Sequence, residues 1–123
     1  MPPADDHLTQ ARWNLAVMRH LVENADNIGP GAVQWAITAA CYAALHALEA
    51  HLIRAGLTSS SHNDRARKLS QAGVPYEVVD SYKLLQQWSE QARYLLAEFD
   101  VEFVRTQMND ELGVVLSFVG LGP

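Results

Sequence analysis

AVQWAITAACYAALHALEAHLIR, residues Ala32–Arg54, is the stretch that decides the fold. Eight of the residues from Ala32 to Ala50 are alanine, the best helix former. No formally charged residue occurs between Ala32 and Leu48. At about 100° per residue, Trp35, Ala39, Tyr42, His46, Glu49 and Ile53 share one narrow stripe, with Leu45, Leu48 and Leu52 beside it. A helix that is apolar nearly all round is buried on several sides, and small alanines let neighbouring backbones approach closely. The stretch therefore reads as the central helix of a bundle. It is a poor membrane span, because the uncharged run covers 17 residues and includes Gln34, Thr38 and His46.

The flanking sequence supplies the partners of that helix. Leu8, Ala11, Leu15, Met18 and Val22 keep the three–four spacing of a buried face and predict a helix from about His7 to Asp26. Asn27-Ile28-Gly29-Pro30-Gly31 ends it and starts the central helix, which stops at Gly56. Thr58-Ser59-Ser60-Ser61 offers N-caps, and Ser61 with Asp64 resembles a capping box at the head of a short helix from His62 to Ala72. Pro75 opens the next helix, expected to run to about Glu98 with Val78, Tyr82, Leu85, Ser89, Ala92 and Leu96 inward. Asp100 caps the last, where Val101, Val104, Met108, Leu112, Val115 and Val119 repeat at helical spacing. Pro2–His7 reads as a frayed leader and Gly120–Pro123 as a tail. The expected fold is all-α: a single-domain antiparallel bundle of four to five helices over residues 1–123, with its core at about 8–119.

A chain of 123 residues buries roughly two-thirds of its unfolded surface and needs no staple. Its one cysteine, Cys41, excludes an intrachain disulfide and, with no secretory signal at the polar Met1–His7, points to a reducing, cytoplasmic setting. The net charge of −5 argues against a strong, sequence-blind nucleic-acid binder. The charge is uneven, however: Arg54, Arg65, Arg67 and Lys68 face only Asp64 between His51 and Ser70.

Several chemistries can be excluded by spacing. His46 and His51 are five apart, about 140° round a helix, and cannot grip one zinc ion as H-E-x-x-H does. No metal and no cofactor is expected. Cys41 has no histidine on its own face to activate it and reads as a small buried hydrophobe. His46 reads as a partly buried histidine bonded to Glu49 or to a neighbouring helix. Glu49, a carboxylate on an apolar stripe, requires a cation. The expected partner is Arg93, which shares a face with Ser89 on a later helix. Ser61, His62, Arg65 and Lys68 gather where a short helix begins, a place where backbone N–H groups favour a phosphate.

Taken together, Trp35-Ala36, Cys41–Ala50, Gly56, Ser61-His62 with Arg65, and Tyr82, Leu85 and Ser89-Glu90-Gln91-Ala92-Arg93-Tyr94 resemble the HEPN domain family (higher eukaryotes and prokaryotes nucleotide-binding). The resemblance covers about Val33 to Leu96. It implies a helical bundle, a homodimer, and toxin–antitoxin, phage-defence or RNA-processing settings. An antitoxin or nucleotidyltransferase-like protein, RNA or a nucleotide would be the partner. Ribonuclease members carry an Arg, four to six residues and then a His; here Arg54 and His62, like Arg12 and His20, are separated by seven, and no His follows Arg93. The expected function is therefore a non-catalytic HEPN-like module binding nucleotide, RNA or protein through Ser61, His62, Arg65 and Lys68. One alternative is a metal-independent ribonuclease using His62 as acid/base with Arg65 or Arg93 steadying the phosphate. Another is a structural or assembly subunit. The side of the fourth helix bearing Leu84 and Trp88 is a candidate interface.

Overall fold

The computed structural model describes residues 3–95 and 97–121. The chain begins with α1 (Ala4–Glu23), a single turn α2 (Ala25–Ile28) and the central α3 (Pro30–Arg54). These are followed by α4 (His62–Gln71), α5 (Tyr76–Tyr94), the short α6 (Val101–Phe103) and α7 (Asn109–Val119). Five residues in π geometry, Val104–Met108, join α6 to α7. Among the described residues there is no strand, and the architecture is all-α, as the sequence predicts.

Helix α3 packs most extensively against α1, then α5, then α7. Ala36, Ala40, Ala43, Ala44 and Ala47 are completely buried, and their small side chains let three helices crowd round one axis. The helix has the length and hydropathy of a membrane span, yet 67 % of its most apolar window is buried inside the protein. Its position, covered by α1, α5 and α7, accounts for its composition.

The stripe that carries Trp35 and Tyr42 is not the inward one. Trp35 is 62 % exposed, Tyr42 also faces out, and Ala39 and His46 are half-buried. The inward sides of α3 belong to the alanines, so the larger groups line the grooves that α3 forms with α1 and with α5. Only Glu49 on that stripe goes under the surface.

Helix ends follow local chemistry. Helix α1 starts at Ala4, before His7, because Asp5 and Asp6 place negative charge at the helix N-terminus and Asp6 N bonds the Pro3 carbonyl at 3.0 Å. It breaks at Asn24, and Gly29 takes φ +106°, a conformation open chiefly to glycine, so that Pro30 can open α3. Ser61 caps α4 through Asp64 N at 3.1 Å, while Asp64 reaches back to Ser60 N at 2.9 Å; the capping box forms one residue wide of the usual register. Helix α5 ends at Tyr94, short of Glu98, because Ala97 N turns back onto the Gln91 carbonyl at 3.0 Å. Leu96, expected on its inner stripe, lies outside the described residues, as do Pro2 and the last two residues of the tail. Asp100 caps α6 by accepting from Phe103 N at 2.7 Å. The π turn keeps Val104 and Met108 inward and turns Arg105, Thr106 and Gln107 to solvent. Trp88 packs edge-on against Phe103 at 4.9 Å, so that side of α5 is largely covered from within the chain.

Candidate functional site

The loop after α3 brings α4 back across the C-terminal end of the central helix, and five polar side chains meet there. Arg65 Nε donates to Glu49 Oε1 at 2.8 Å, with side-chain exposures of 10 % and 7 %. Ser59 donates to the same carboxylate oxygen. Arg65 Nη1 donates to the Tyr82 hydroxyl at 2.8 Å, and that hydroxyl lies 2.7 Å from His62 Nδ1. Arg65 Nη1 also lies 3.3 Å from the same ring nitrogen.

This geometry fixes protons. Arg65 Nη1, which can only donate, stands beside Nδ1, so the tautomer that fits has the Tyr82 hydroxyl donating its own hydrogen to His62 Nδ1. That nitrogen is then an acceptor, and the neutral ring carries its hydrogen on Nε2. Burial, seconded by Arg65, holds the His62 pKa below the ordinary imidazole value. Burial likewise pushes the Tyr82 phenol up to about 12. For Arg65, burial opposes the charge, but Tyr82 and Glu49 outweigh it and the guanidinium is held more firmly protonated. Arg65 Nε and Nη1, the Ser59 hydroxyl and the Tyr82 hydroxyl are all engaged within the network.

The expected Glu49–Arg93 pair does not form. Arg93 lies over the Tyr42 ring, 5.8 Å from its centroid, about two helical turns before Glu49 on α3. Glu49 takes Arg65 instead. The expected phosphate cluster is corrected in the same way. His62 and Arg65 do come together, but Arg65 is buried with its guanidinium turned inward. Ser61 is spent as a cap. Lys68 bonds Asp64 at 3.1 Å and the Thr58 carbonyl, and Arg67 bonds Asp64 as well. Asp64 therefore occupies the position an incoming anion would take at this helix start.

Arg93 is different. Its Nε is held by Ser89 Oγ at 3.2 Å and its Nη1 by the Tyr94 hydroxyl at 3.2 Å. The guanidinium carbon stands 4.8 Å from the Tyr94 ring centroid. Among the described residues no carboxylate pairs with it. It lines a shallow groove with Gln34, Trp35, Thr38, Ala92 and Tyr94.

Two further groups complete the face. Cys41 is buried, and burial pushes its thiol up to about 11 against a weaker opposing contribution from Ser89; it is protonated at neutral pH and is no nucleophile. His46 meets His7 of α1, not Glu49: the Nδ1 atoms are 2.9 Å apart and the rings stack at 5.1 Å. Burial first, then His7 and Arg65, lower its pKa. Among the described residues no three metal-ligating side chains are gathered in one place.

Tyr82 and Ser59 had no signal as site residues in the sequence. Tyr82 sits on an apolar stripe where its ring is indistinguishable from core, and only the fold shows its hydroxyl between Arg65 and His62. Tyr94 had one signal, its place directly after Arg93.

The histidines set an acid limb. Both His46 and His62 bind a proton less readily when folded than when unfolded. Stability is therefore unaffected above the ordinary imidazole value of 6.5 and falls as pH drops below it. Asp64, held well below the usual carboxylate range by Ser60 N–H, Arg67 and Lys68, adds a second loss only as pH falls below its unfolded value of 3.8. Melting temperatures taken from about pH 8 to about pH 3 should show two separate declines, the first flattened in a His46→Gln, His62→Gln protein.

Residues 4–115 match the HEPN domain family. No curated protein matches the chain.

Proposed function

The chain belongs to the HEPN family, and on that premise we propose that it is a nucleotide- or RNA-binding module that does not cleave what it holds. The observation that carries this reading is the contrast between two arginines, Arg65 and Arg93. Arg65 is consumed by Glu49 and Tyr82, whereas Arg93 is positioned by Ser89 and Tyr94 and has no carboxylate partner among the described residues.

A ribonuclease of this kind needs a free base, a free acid and a cation at the scissile phosphate. His62 has its Nδ1 lone pair occupied by Tyr82, and its other nitrogen carries a hydrogen, so no basic nitrogen is presented. Arg65 cannot swing out without leaving Glu49 unpaired in the interior. The binding role thus rests on Arg93, which moves the ligand contact from the head of α4 to the furrow beside α5.

The test uses short labelled RNAs and tRNA in EDTA with wild type, His62→Ala and Arg93→Ala. The expected result is retention without cleavage, with affinity reduced about ten- to hundredfold by Arg93→Ala, the worth of a charge-assisted hydrogen bond. Cleavage that survives EDTA and is lost in His62→Ala would make the protein a ribonuclease with a non-standard pair. Neither binding nor cleavage would overturn the reading in favour of a protein partner.

A further inference from the structure

From the furrow between α3 and α5 we infer that the site takes a single unpaired nucleotide, its base stacked on the Trp35 indole and its phosphate on Arg93. The inference rests on the binding-module reading above and adds what is bound, how many phosphates are gripped and which side chain holds the base.

Trp35 and Tyr94 are 62 % and 71 % exposed, yet both line the groove that contains Arg93. Large aromatic rings held open to water beside a positioned guanidinium match the chemistry of an unpaired base and its phosphate. A paired base inside a duplex presents no face to such a platform. The cation is also pre-set. Tyr42 and Tyr94 flank the guanidinium at 5.8 and 4.8 Å, and Ser89 holds Nε, so little side-chain freedom is lost on binding.

Charge limits the ligand to one phosphate. Glu90 lies one turn before Arg93 on α5, exposed, with Gln86 bonded to it at 3.2 Å. Thr38 Oγ1 is already spent on the Gln34 carbonyl at 3.1 Å. Among the described residues no second cation lines the groove. A strand that tracked its backbone along this face would meet Glu90 and a protein of net charge −5.

The probes are a short single-stranded RNA of mixed sequence, a hairpin duplex of equal length and a 5′-mononucleotide. Binding is measured by anisotropy or calorimetry on wild type, Trp35→Ala, Trp35→Phe, Arg93→Ala and Trp13→Ala. These side chains lie at the surface, and circular dichroism with gel filtration verifies fold and oligomeric state. Trp35→Ala should weaken single-stranded RNA and mononucleotide by about five- to hundredfold, Trp35→Phe should restore most of it, and Trp13→Ala should change nothing. The hairpin should bind least. The slope of log affinity against log salt should be about −0.7, the value for one phosphate on a single strand. Wild-type RNA binding that Trp35→Ala leaves unchanged overturns this inference and spares the binding module. Absence of binding to any probe overturns both. A Trp35→Ala protein that loses its oligomeric state together with RNA affinity assigns the face to a second copy of the chain and overturns the inference.

Discussion

Replacing Arg65 with methionine is expected to cost about 3–5 kcal/mol of stability, because it strands the Glu49 carboxylate in the interior without its cation. Glu49 is 5 % exposed and Arg65 9 %, so water cannot take the missing partner's place. Glu49→Leu alone should cost a similar amount by stranding the guanidinium. The Glu49→Leu, Arg65→Met double variant should recover most of the loss, since a buried ion pair is often no better than well-packed apolar groups of the same volume. Urea denaturation of the four proteins gives the coupling energy directly. The same cycle on Glu49→Gln and Arg93→Lys should give coupling within about 0.5 kcal/mol of zero, as for residues with no shared partner. Loss of stability in the double variant as great as the sum of the singles would show that the pair is not the contact described.

The second large effect is at Tyr82, the largest of the completely buried side chains. Tyr82→Ala should cost about 3–5 kcal/mol, the usual range for emptying an aromatic site in a core. Tyr82→Phe keeps the ring and removes only the hydroxyl, so Arg65 Nη1 and His62 Nδ1 each lose one partner and keep the 3.3 Å contact with each other. Its expected cost is about 1 kcal/mol, that of lost hydrogen bonds. The two variants together separate packing from hydrogen bonding. Tyr82→Phe as stable as wild type would mean that the hydroxyl does not hold the network together.

The bundle was legible because helical period and alanine content are properties of local sequence. Leu8, Ala11, Leu15 and Met18 follow the period and are buried. So are Val78, Tyr82, Leu85, Ser89 and Ala92. The direction in which α3 turns its faces was not legible. An all-apolar helix has no polar side to orient it, and Trp35 and Tyr42 face outward although they lie on an apolar stripe. The partner of Glu49 was misread for a related reason. Periodicity says that a carboxylate is on a helix face, but which of several arginines meets it depends on how the loop after α3 returns. That loop sets α4 against the end of α3 and leaves Arg93 two turns away, over Tyr42. The capping box at Ser61 and Asp64 was legible because it is local. Arg93 was singled out in the sequence, but the rings that frame it come from α3 as well as α5, and no spacing within one helix reveals that.

The most direct test of a non-catalytic network is nitrogen NMR of the His62 imidazole across neutral and mildly acid pH. The expected spectrum is a neutral ring with Nδ1 unprotonated and accepting, Nε2 carrying the hydrogen, and protonation delayed to below the ordinary value of 6.5. Tyr82→Phe should lose the Nδ1 hydrogen-bond signature. A His62 that carries its hydrogen on Nδ1, or that protonates above the ordinary value, would leave a free base or acid at the site and contradict the account.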